Sequence, residues 1–162
     1  MRSAGELSPT DIRDQLRQDH QTVLAELQAL RHEVDDRSCQ ARLARLRRSW
    51  MVHTLAKETV VYHAIEGIES VDDSARADRR LVEHEWIESE FERLSRLRPG
   101  TLEWRARLDV ARELITMVVE TEREEAFAEL AQRYDAVGLA ELSRSFKSAR
   151  AKLALLEEAK AA

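Results

Sequence analysis

Apolar residues recur at steps of three and four along almost the whole chain, and no stretch alternates with a period of two. That regularity commits the chain to amphipathic helices, because a 3.6-residue repeat gathers such positions on one face. Glycine and proline, the residues that interrupt helices and build tight turns, number only 4 and 2 in 162 residues.

Five helices are predicted. Residues 1–9 read as a loose tail, and Ser8-Pro9-Thr10-Asp11 as a helix start. Helix one carries Ile12, Leu16, His20, Val23, Leu24, Leu27, Leu30 and Val34 on its stripe, and Asp35-Asp36-Arg37-Ser38 breaks it. Helix two runs from Cys39 or Gln40 to Glu66, with Leu43, Leu46, Trp50, His53, Val61, Ala64, Ile65 and Ile68 on its stripe. Gly67 and the segment 70–74 end it. Helix three runs from Ser74 to Arg98, with Leu81, His84, Ile87, Glu88, Phe91 and Leu94 on one face. Pro99-Gly100 separates it from helix four, Thr101 to Tyr134, which carries Leu108, Ala111, Leu114, Ile115, Val118, Val119, Ala126 and Leu130. After a turn at Gly138, a last helix from Leu139 to Lys160 carries Leu142, Phe146, Leu153 and Leu156. Long amphipathic helices with short links make an all-α, up-and-down four-helix bundle. The additional C-terminal helix packs along an end or a side, and residues 10–162 form a single domain of ordinary size.

Several function classes lose support at once. The net charge is -5 and the cations are interspersed with acids, so no basic stripe marks a nucleic-acid partner. The cluster Arg42, Arg45, Arg47 and Arg48 reads as a solvated helix face. No apolar run approaches the roughly 20 residues that span a bilayer, so no membrane partner is expected. Met1 to Pro9 has no apolar core, and the lone Cys39, in a polar stretch, excludes an internal disulfide. A cytoplasmic location is expected. Phosphate-binding glycine loops, a Gly-x-Ser-x-Gly elbow and Cys-x-x-Cys pairs are all missing from the sequence.

Polar groups in the middle of buried stripes carry the information. On helix one this is His20. On helix two it is His53 and Lys57, one turn apart; on helix three His84 and Glu88, again one turn apart. On helix four it is Glu122, with Val118 one turn before it. Buried charges are costly unless paired or bound to metal. Imidazoles and carboxylates from facing helices are how bundles hold iron, manganese or zinc. The competing reading is a set of core histidines bonded to backbone or side chains. Glu58 and His63 fall at the rim, with Glu58 able to turn inward; His32, Glu120, Glu124 and Glu125 fall in solvent. Trp50, Trp86 and Trp104 read as core or rim packing.

The order of these motifs resembles a known family. Gln18-Asp19-His20 resembles a first-helix Asp-His motif, and His53 to Tyr62 a second-helix His-x-x-x-Glu-Glu pattern followed by an apolar-aromatic pair. Glu83-His84 resembles a third-helix Glu-His motif, and Val118 to Phe127 a second His-x-x-x-Glu-Glu helix. Together they resemble the hemerythrin-like HHE cation-binding domains over nearly the whole chain. The resemblance implies two irons held by histidines from four helices and bridged by two carboxylates. Carried over, it implies metal ligation by His20, His53, His84, Glu88 and Glu122, with Glu58 as a substitute donor. Two positions depart: Lys57 stands where the first bridging carboxylate is expected, and Val118 where the fourth-helix histidine is expected.

The departures leave several readings. A buried Lys57–Glu122 ion pair replaces the metal bridge, or His20, His53 and Glu122 hold a single iron. The resemblance implies a bacterial cation-binding or sensing protein for iron, oxygen or nitric oxide, with one or two iron ions, or none, as cofactor and a metal ion and small diatomic as partners. The alternatives are a metal-free regulatory bundle, acting as a homodimer or on a protein partner, and a small non-haem iron oxidase or peroxide-consuming enzyme.

Overall fold

The computed structural model describes residues 10–66 and 71–161. The expected tail at 1–9, and Gly67, Ile68 and Ser70 at the end of helix two, lie outside the described residues.

The helices are α1 (Ile12–His32), α2 (Asp36–Ala56), α3 (Val71–Arg96), α4 (Leu102–Glu124), α5 (Ala126–Arg133) and α6 (Ala136–Ala161). A π-helical segment, Lys57–Tyr62, and a last turn, His63–Ile65, continue α2. α5 continues α4 past a break at Glu125. No strand is present among the described residues. α1 packs on α2, α2 on α3, α3 on α4 and α4 back on α1, which is the expected up-and-down four-helix ring. α6 lies along its side, against α1 and α2.

Side-chain caps set the starts. Asp11 accepts from the Arg13 backbone N–H at 2.8 Å, Asp35 from Ser38 at 2.6 Å, and Thr101 from Trp104 at 3.2 Å. The Asp35 cap corrects the expected boundary: residues 36–38 open α2 instead of breaking the pattern. Cys39 is therefore a fully buried helical side chain and not part of a polar loop. Gly100, at φ 79°, makes the turn before α4.

Three expected core positions point outward. Val34 follows α1 and is 92% exposed, and Leu81 and Leu156 are more than half exposed. For Leu81 the cause is a one-residue error in facing. The buried stripe of α3 is Arg80, Glu83, Ile87, Glu90, Phe91 and Leu94, which includes charges that an apolar count leaves out. Those charges are paired: Arg107 donates to both oxygens of Glu90 at 3.1 and 3.2 Å. Arg80 pairs with Glu66 and donates to Glu58 at 3.4 Å.

The core falls into two apolar clusters. One gathers Leu27, Leu43, Trp50, Ile87, Phe91, Trp104, Leu108 and Ile115. The other gathers Ile12, Leu16, Val61, Ile65, Phe127, Leu130, Leu139 and Phe146. Between them, at one level of the bundle, lies a layer of buried polar side chains.

Candidate functional site: a buried polar layer

Each member of the layer sits on a helix between residues of the two clusters. His20 lies between Leu16 and Val23, His53 between Trp50 and Ala56, and Glu122 between Val118 and Ala126. Lys57 opens the π-helical segment, where widening of the helix marks many functional sites. Lys57 is 0% exposed, and its ammonium donates to Glu122 Oε2 in a close ion pair. The ring faces of Trp50 and Tyr62 stand 5.8 and 6.0 Å from the ammonium. Burial raises the Glu122 carboxyl, but the neighbouring ammonium more than offsets this and the net direction is down.

Beside the ion pair, His20 Nε2 and His53 Nε2 approach to 3.2 Å. His53 Nδ1 stands 3.2 Å from Asp19 Oδ2, and Arg150 of α6 pairs with the same carboxylate. An ionised Asp19 accepts only, so the His53 proton belongs on Nδ1 and its Nε2 accepts from His20. Burial raises Asp19, but the bonds from His53 and Arg150 win and bring it to about 2. His20 Nε2 lies 3.9 Å from Glu122 Oε2, which joins the two halves of the layer.

Burial pushes His20 down to about 3, and pushes His53 down despite its bond to Asp19. Both imidazoles are therefore neutral at pH 7. A folded-state pKa below the ordinary 6.5 means that the unfolded chain binds more protons between those values. Stability from these groups is complete above pH 6.5 and falls as pH drops below it, for His20 down to about 3. Each contributes a slope of at most about 1.4 kcal/mol per pH unit. Thermal melting should shift steadily downward from pH 7 to pH 5, and the shift should shrink in His20→Gln. A flat profile would mean that the imidazoles titrate in the fold as they do in the unfolded chain.

The other expected ligands lie elsewhere. His84 is partly buried and drawn down to about 4, by burial first and then by the Lys57 charge. It lines a small cavity of about 30 Å³ with Tyr62, Val118 and Glu122. Glu88 turns away and pairs with Arg47 on the half-exposed outer face of α2 and α3. Glu58 stays at the rim on Arg80. Glu83 and Glu90, not Glu88, are the buried carboxylates of α3, and burial raises Glu83. Three contributors were not assigned to the site from sequence: Asp19, Arg150 and Phe146, whose ring meets His53 edge-on at 5.6 Å. Asp19 sits beside His20 in the chain and was legible in the Asp-His pair; nothing in sequence connects Arg150 to it across 131 positions.

A pair of bridged metal ions does not fit these residues. The bridging position of α2 carries an ammonium, and the α4 position carries an isopropyl group. Among the described residues, no three His, Cys, Asp or Glu side chains are grouped to hold a metal ion. What the layer does offer is two neutral imidazoles in contact, backed by a carboxylate, beside a buried ion pair.

Comparison with protein families finds that the model described as Hemerythrin HHE cation binding domain matches residues 11–130. Comparison with curated proteins and with solved structures gives no match. Among the described residues, no helix is long and apolar enough to cross a membrane.

Proposed function

The chain belongs to the hemerythrin HHE cation-binding domain family, and we propose that in this member the cation facing the buried carboxylate is its own Lys57 ammonium. The bundle then stands without a metal ion and acts through its surface, as a regulatory or interaction protein. The observation that supports this is the fully buried Lys57 paired with Glu122. A buried carboxylate needs one close counter-charge, and a second cation a few ångströms from an ammonium meets direct repulsion. The working unit is residues 10–162 taken as one domain. α6 lies beyond the matched segment yet packs on α1 and α2 and reaches the layer through Arg150 and Phe146.

One observation favours a second reading. His20 Nε2 and His53 Nε2 stand as close as two ligands of one ion, and Asp19 braces His53 as an outer carboxylate braces a ligating histidine. In that reading His20, His53 and a Glu122 released from Lys57 hold a single iron. The ion would supply an open position for dioxygen or nitric oxide, or for oxidase or peroxide chemistry.

Metal analysis separates the two. Protein purified without chelator, and again after anaerobic incubation with Fe(II), should carry far less than one ion per chain. Its melting temperature should not respond to EDTA. One ion per chain that disappears in His53→Ala would replace the first reading with the second. Two ions would defeat both.

A further inference from the structure

The outer side of α6 carries a stripe that the polar layer does not use. Lys147, Ala151, Ala154 and Glu158 follow one another at steps of four, three and four, which places them along one line of the helix. All four line a groove of about 530 Å³ whose other wall includes Arg48 and Val52 of α2. The stripe is cationic at one end, anionic at the other, and bears only methyl groups between.

Its neighbours on α6 are already engaged. Arg150 pairs with Asp19, Arg144 with Glu141, and Lys160 with Glu157. Lys147 and Glu158 are exposed and have no ion-pair or hydrogen-bond partner among the described residues. Each therefore keeps its full charge available at the lip of the groove.

We propose that this groove is the docking site for α6 of a second copy of the chain, in a two-fold, antiparallel pair. The argument is charge complementarity that closes on itself. Reversed, the stripe matches its own sequence: when Lys147 of one copy lies opposite Glu158 of the other, Ala151 falls opposite Ala154 in the same register. Two-fold symmetry then makes each of these contacts twice. The alanines let the helix axes approach at the close end of the usual range of about 8–10 Å. Leu155, 66% exposed and one turn beyond Ala151, is covered at the edge of the same contact. A foreign helix could fill the groove, but its charges would have to copy this order; a second copy supplies it without any further requirement.

The test uses the full chain and a charge exchange. Sedimentation velocity on the wild type should show a reversible dimer. Lys147→Glu alone places like charges opposite each other at both ends, as does Glu158→Lys alone. Each should raise the dissociation constant about tenfold or more. Lys147→Glu/Glu158→Lys together restores opposite charges in the same register and should bring the constant back to near the wild-type value. Circular dichroism guards against a folding defect, since both side chains are exposed on the surface of the bundle. A wild type that stays monomeric up to about 0.5 mM, where even weak interfaces associate, would overturn the proposal. So would a dimer indifferent to the single exchanges, or one that the double exchange fails to recover.

Discussion

Lys57→Met lowers the unfolding free energy by about 3–5 kcal/mol. The methionine occupies nearly the same volume, so little of the loss comes from packing. It comes from Glu122, which keeps a buried negative charge beside two neutral imidazoles with no cation in reach. Glu122→Gln produces a loss of the same order, because the ammonium is then the stranded charge. The pair Lys57→Met/Glu122→Leu should be far less destabilised than the sum of the two single variants, since nothing charged is left behind. Urea midpoints of the four proteins give the cycle. Single losses below about 1 kcal/mol would mean that the lysine stem carries its charge out to solvent on the bundle's rim.

Phe146→Ala is expected to cost about 3–5 kcal/mol, the range for emptying a fully buried aromatic position. The ring belongs to the second apolar cluster with Ile12, Leu16, Ile65 and Leu130, and it also closes the face of His53. The effect therefore tests whether α6 is part of the core. An added helix that merely leans on the bundle would lose under about 1 kcal/mol, with the rest of the chain melting unchanged. The expected outcome is a single cooperative transition, shifted down as a whole in chemical denaturation.

How far sequence could reach is visible in these two residues. Phe146 was legible as core, because a phenylalanine on an apolar stripe has few other places to go. Lys57 was legible as inward-facing, and its partner Glu122 followed from the facing stripes. The facing of α3 was misjudged by one residue because its true buried side includes Arg80, Glu83 and Glu90. Those positions are tolerable inside only through charged partners, Arg107 of α4 for Glu90 and Arg79 for Glu83 among them. Periodicity records what a residue prefers when alone, and such charges are settled by tertiary pairing. The π-helical segment was invisible for a related reason: a wider turn begins at Lys57 without any change in the three-and-four spacing of its apolar neighbours. The clamp of Arg150 on Asp19 is likewise a property of how α6 lies against α1, which no local pattern encodes.

The polar layer also constrains how the chain can change over generations. The apolar clusters on either side accept single, volume-conserving exchanges at small cost. The layer does not, because its charges are balanced two by two. A carboxylate at position 57 would face Glu122 with no cation between them, and a histidine at 118 would reach into the small cavity lined by His84 and Glu122 while Lys57 still held that carboxylate. Neither substitution alone makes a two-ion centre, because the other position stays without a ligand. The buried ammonium thus works as a gate in sequence space: while Lys57 stands opposite Glu122, no single substitution at position 57 or 118 supplies both of the missing ligands.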